Sequence, residues 1–215
     1  MNLGTLRDRA RALSGIRLQT IRSDEAIDEV INEAYQEVIG LSPWPFLRAS
    51  ETTSVVKSQE SFETPVGFSE VVSVTYQDDL GNTTRLRQTT IDELDRLDAD
   101  AEGEPSFYAR LSDRSFQLWP IPEKPLTFFI RGKQTASALR RDSDAPVFDE
   151  QFHVILAYRA ASKMLAEEGD DSGRSELYQN EASLIFTRMQ QFYNRTSDVG
   201  MFVMGGRRRR HVHDY

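Results

Sequence analysis

Cysteine is absent from the 215 residues, so disulfides, thiolate metal ligands and cysteine nucleophiles are excluded and stability must come from packing. No run approaches the roughly 18 consecutive apolar residues that a membrane span needs. Arginines stand in MNLGTLRDRARAL where a signal peptide carries its apolar stretch, so the chain is expected to be soluble, without a membrane partner and not exported by that route. A phosphate-binding glycine loop, HExxH, GxSxG and an EF-hand pattern are also missing, which removes the strongest local signatures of enzymes and of bound cations. No enzymatic activity, cofactor or metal is expected. There is no internal repeat and, apart from four adjacent arginines, no low-complexity tract.

What is present is an ordinary globular composition. Hydrophobic residues make up 39% and charged residues 28%, enough apolar material to build a core. With 26 Lys and Arg against 34 Asp and Glu the net charge is -8, and such a surface as a whole repels nucleic acid. The sign is uneven. Arg207, Arg208, Arg209 and Arg210 are opposed only by Asp214, and the first 22 residues hold Arg7, Arg9, Arg11, Arg17 and Arg22 against Asp8.

Three kinds of local grammar follow one another. Leu3, Leu6, Ala10 and Leu13 share a helical face before Ser14 and Gly15 interrupt it. Ser23 can cap a second helix, Asp24 and Glu25 suit its positive end, and Ile27, Val30, Ile31, Ala34, Tyr35, Val38 and Ile39 form its apolar stripe up to Gly40. The prolines of PWPF stop it. From about residue 50 the segments ETTSVV, FSEVVSVTYQ and TTRLRQ read as strands, the last two as a hairpin around DDLGN. Thr90 and Glu93 match a capping box, and SFQLW and LTFFIRG are two further strands joined by PIPEKP. Beyond Pro146, Phe152, Ile155, Leu156, Ala160 and Met164 mark one long helix. Tyr178, Ala182, Ile185, Met189 and Phe192 mark another, and the two pair as an antiparallel hairpin.

The expected fold class is therefore α+β: mainly a helical bundle with an inserted small antiparallel β domain and a flexible C-terminal arm. The expected divisions are 1–48 for the N-terminal helices, 49–146 for the β module, 147–196 for the helical hairpin and 197–215 for an extended arm.

Few residue groups invite a chemical reading. Glu33 and Glu37 lie one helical turn apart, a spacing open to general acid and base work, but they sit opposite an apolar stripe and read better as surface charge. His211 and His213 form an HxH pair with only His153 elsewhere, too few converging ligands for a metal centre. Arg207 to Arg210, behind Gly205 and Gly206, could grip phosphates or an acidic protein groove, or could simply keep a terminal tail soluble. Trp44, Phe46, Phe107, Tyr108 and Trp119 could anchor a partner; beside prolines they more often seal a core.

The order of segments carries more than any one of them. INEAYQEVI leads to SPWPFL; then come FETPVGFSEVVSVTY, GEPSFYARL, FQLWPIPE and DAPVFDEQFHVILAYRAASKMLAEEG, and a last helix over Tyr178 to Phe192. This resembles the head-to-tail adaptors of tailed phages, the connector, neck or tail tubular A-like proteins, over about residues 3 to 195. Where such proteins show Tyr-x-Leu-Pro-x-x-Phe, this chain has Phe62, Thr64, Pro65 and Phe68.

The resemblance implies a structural virion protein of the neck between capsid and tail, made in the host cytoplasm. It would be a homo-oligomeric ring, usually of about twelve subunits, bound to portal protein on one side and a tail or nozzle protein on the other, with DNA passing through its channel. Its C-terminal extension would reach the portal. Carried onto this chain, the portal-binding arm comprises Met201, Phe202, Val203, Met204, Arg207, Arg208, Arg209, Arg210, His211 and Tyr215. The main alternative is a nucleic-acid-binding accessory protein acting through the arginine cluster; a glycan hydrolase using a carboxylate pair is a third reading.

Overall fold

The computed structural model describes residues 1–15, 23–78, 81–168 and 172–204. The chain divides into two compact units, Met1–Phe46 with Ala136–Tyr215, and Leu47–Thr135.

The first unit is helical. Helix α1 (Leu3–Ser14) is capped by the Asn2 side chain, which accepts from the Thr5 amide, and buries Leu3, Leu6 and Ala10. Helix α2 (Asp24–Gly40) has the expected Ser23 cap, accepting from the Ala26 amide, and buries all seven residues of its predicted stripe. The short α3 (Ile91–Leu94) belongs to the other unit. A 3-10 turn over Glu150–Phe152 leads into α4 (Val154–Glu168), and α5 (Ser172–Met204) follows. Helix α4 packs on α1, α2 and α5, which is why Ile155, Leu156, Ala157, Ala160, Ala161 and Met164 are all fully buried around its circumference. Residues 136–146 run along α2: Asn32 bonds the Leu139 backbone twice, donating to its carbonyl at 2.9 Å and accepting from its amide at 2.8 Å.

The second unit corrects the expectation of a mainly helical bundle with a small antiparallel β insertion. Among the described residues the chain has five α-helices but ten strands in three sheets. The strands are β1 (Arg48–Val55), β2 (Ser61–Glu63), β3 (Phe68–Gln77), β4 (Thr83–Arg85), β5 (Arg87–Thr89), β6 (Glu102–Gly103), β7 (Phe107–Arg110), β8 (Ser115–Trp119), β9 (Ile121–Pro122) and β10 (Leu126–Gln134). One four-stranded sheet has the order β1-β10-β3-β4, a second the order β2-β8-β7-β5, and β6 pairs with β9. The arrangement is not purely antiparallel, since β5 with β7 and β6 with β9 run parallel.

The β unit is substantial because it has its own core. Val55, Phe62, Val74, Tyr76, Leu86, Tyr108, Phe116, Leu118, Leu126, Phe128 and Ile130 form one buried cluster, and along β10 Leu126, Phe128 and Ile130 alternate inward with exposed Thr127, Phe129 and Arg131, the period-2 pattern of a half-buried strand. The β3–β4 hairpin forms as read, with Gln77 opposite Thr83. The segment TTRLRQ, however, is two strands. It breaks at buried Leu86, whose amide donates to the Val74 carbonyl, and the chain passes there from the first sheet to the second. Strands β8 and β10 likewise lie in different sheets, so PIPEKP is a crossing and not a hairpin.

Candidate assembly interface

Helix α5 carries the region to which sequence analysis assigned an arm, and two sets of contacts hold it. Near its start, Ser162 and Ser175 bond reciprocally: each hydroxyl donates to the other residue's carbonyl at 2.9 Å, and both side chains are buried. Because each of these small residues satisfies its own hydroxyl on the facing backbone, α4 and α5 approach closely without burying an unpaired polar group.

Further along, aromatic rings clamp the helix. Trp44, stacked on Phe46 at 5.5 Å, meets Phe186 at 5.6 Å and Tyr193 at 5.8 Å, and Phe46 lies 4.9 Å from Tyr193. Phe152 sits 5.5 Å from Phe192. The polar ends of these side chains are also fixed. Trp44 Nε1 donates to the Val38 carbonyl at 2.9 Å, and the Tyr193 hydroxyl accepts from the Asp149 amide at 2.9 Å. Burial pushes the Tyr193 phenol above its ordinary pKa. Trp44 is thus a core residue, as PWPF suggested. So is Tyr108, which is buried in the β unit, while Phe107 and Trp119 pair half-buried at 5.9 Å.

Past Tyr193 the helix continues over residues 194–204, whereas α4 and the turn before it reach back only to Glu150. At 1.5 Å per residue these eleven residues extend the helix by about 16 Å. Residues 197–204 of the expected arm are therefore α5 backbone, and Met201, Phe202, Val203 and Met204 are its last turn. Arg207, Arg208, Arg209, Arg210, His211 and Tyr215 lie outside the described residues, as does His213.

The other charged groups are tied into the helical unit. Arg7 makes a two-pronged bond to Asp28, 2.8 Å from Nε and 2.6 Å from Nη2, and Nη2 also reaches Asp142 at 2.8 Å. Its bond to Asp28 raises the guanidinium pKa further above its ordinary range. Asp24 bonds Arg11, which lowers its carboxyl below the ordinary value near 3.8. Glu33 and Glu37 are ion-paired: Lys163 lies 3.4 Å from Glu33 and 2.5 Å from Glu37, and Arg159 lies 3.3 Å from Glu37. These two carboxylates thus fasten α2 to α4 across a partly exposed seam. His153 is buried with Nε2 2.7 Å from the Phe148 carbonyl, a helix-entry contact. Among the described residues no three His, Asp or Glu side chains converge as a metal site. Taken together, these contacts fix α5 within the helical unit as far as Tyr193.

Comparison with known proteins agrees with the segment order. No curated protein matches the chain. A family model described as SU10 adaptor protein matches residues 1–209, nearly its whole length and through both units. The chain therefore belongs to the SU10 adaptor protein family, in keeping with the phage head-to-tail adaptors that its proline and aromatic punctuation resembles.

Proposed function

We propose that this chain is one subunit of a homo-oligomeric ring in the neck of a tailed phage virion, joining portal protein to the tail or nozzle protein around the path of the ejected DNA. Its role is structural and not catalytic. About twelve copies would complete the ring, as in the proteins it resembles. The observation that carries this reading is helix α5, which aromatic rings hold at Tyr193, which continues to Met204 and which precedes Arg207 to Arg210 in the sequence.

A segment that docks only on a completed partner loses its conformational entropy at that moment, which makes assembly conditional on the partner. Apolar Phe202 and Val203 would fill a groove, and the arginines would pair with acidic side chains beside it. The net charge of -8 suits a conduit, since a strongly basic lining would hold the genome.

The test mixes the protein with its cognate portal ring and follows it by light scattering and negative-stain imaging, beside a form ending at Gly206. A stacked complex that weakens on truncation is the expected result. Free protein beside intact portal rings would overturn it. Salt-dependent DNA binding lost on deleting residues 207–210 would instead support the nucleic-acid-binding reading of the arginine cluster.

A further inference from the structure

The outward side of the first sheet collects positive charge around one exposed ring. The β1–β10 register sets Arg48 opposite Lys133, Ser50 opposite Arg131 and Thr52 opposite Phe129, and strand alternation turns these six away from the buried cluster. Arg48 and Arg131 are exposed, Lys133 is half-buried and Phe129 is 39% exposed. Glu70, opposite Lys133 on β3, is the one carboxylate that the register adds to this face. Among the described residues Arg48, Arg131 and Lys133 take part in no ion pair.

The same unit carries the complement. Residues 92–104 hold seven acidic side chains against Arg96 alone, all of them exposed, and Leu97 is 39% exposed in their midst. Glu93 belongs to the Thr90 capping box and Glu104 pairs with Lys124. Asp92, Asp95, Asp100 and Glu102 take part in no ion pair among the described residues. The segment is held in shape by the second and third sheets: Trp119 Nε1 donates to the Asp98 carbonyl, and the Ile121 amide to the Ala101 carbonyl, both at 2.9 Å.

Each patch is therefore an exposed apolar side chain surrounded by charge of one sign. We propose that residues 92–102 of one copy dock on the outward face of β1, β10 and β3 of the next, Leu97 against Phe129 and the carboxylates against Arg48, Arg131 and Lys133. The occupant is a second copy because each chain supplies both halves of the match. Like patches laid together would set charge against like charge, and the carboxylates of the β unit repel phosphate. The contact is heterologous, so every copy offers one patch of each kind and repetition closes a ring or runs on as a filament. It rests for its closure on the ring reading above, and it names the contact between neighbouring subunits.

The chain contains no cysteine, so T52C/L97C places the only thiols, one in each patch. At roughly 100 μM, which populates a contact of matching dissociation constant, mild oxidation of this full-length variant is expected to give a ladder of dimers, trimers and larger species on a denaturing gel. Thr52→Cys or Leu97→Cys alone should give no ladder. In the T52C/L97C background, R131E/K133E and D95K/D100K should each cut the ladder at least about tenfold. Mixing those two proteins should restore it, which also shows that both fold. An absent T52C/L97C ladder, one indifferent to either charge reversal, or a mixture that stays unlinked would each overturn the proposal. So would a duplex oligonucleotide retained by the wild type and lost in R131E/K133E with no ladder formed, which would give the face to nucleic acid. Portal-bound rings that form undiminished with R131E/K133E would remove this contact and leave the ring reading standing. A charge-dependent ladder with no portal complex would support the contact and remove the ring reading.

Discussion

Gly132 shows what a single residue can fix that its neighbours in sequence do not announce. It sits on β10 beside an irregularity in the pairing with β3, where the register shifts between Arg131 and Gly132. A Cβ added there would lie 2.2 Å from the Glu70 carbonyl oxygen and 2.3 Å from Phe68 Cδ1. Backbone cannot yield as a side-chain tip can, so Gly132→Ala should prise the two strands apart and cost about 3 kcal/mol. A lower urea midpoint with an unchanged slope would record it. In the sequence this glycine reads only as the end of LTFFIRG; the close approach of β3 comes from a pairing partner some sixty positions away, which periodicity does not see.

At the scale of elements, legibility followed how much each segment depends on itself. Helices α1 and α2, the Ser23 cap of α2 and the Thr90–Glu93 capping box are local arrangements, and the structure has them where spacing put them, while the Asn2 cap of α1 was not read. Strands β3 and β8 carry enough alternation to be bounded. The two- to four-residue strands β2, β6, β7 and β9 do not, because their partners and not their own pattern make them strands, and that is why the β content was underestimated. The seam between α1 and α2 makes a testable case of long-range charge. Since Arg11 holds the folded carboxyl of Asp24 below its ordinary pKa near 3.8, the pair adds stability above that value and loses it as pH falls through the lower, folded one. Asp24→Asn should therefore melt lower than wild type at neutral pH, with the two melting temperatures converging below about pH 4. A gap that stays constant down to acid pH would exclude this origin.

For the molecule as a whole, the two units have separate hydrophobic cores, and the arm readings divide along the same line between what is local and what is not. The helical stripes of α2 and α4 were legible as core. On α5 Ala182 and Met189 of the expected stripe are buried, while Phe192 of the same stripe is 40% exposed. Independence of the β unit can be checked directly. A peptide comprising Leu47–Thr135 carries the whole cluster from Val55 to Ile130, and it is expected to fold alone with a cooperative thermal transition and strand-type circular dichroism. A non-cooperative melt would show that its core needs the helices.

Arg48 pairs with Lys133 at the end of the β1–β10 ladder, so the chain enters the β unit and leaves it through adjacent positions. Seen from the helices, everything in between occupies the span of a tight turn. Because entry and exit adjoin, an in-frame replacement of Leu47–Thr135 by another segment with neighbouring ends would keep the chain connections of the helical unit.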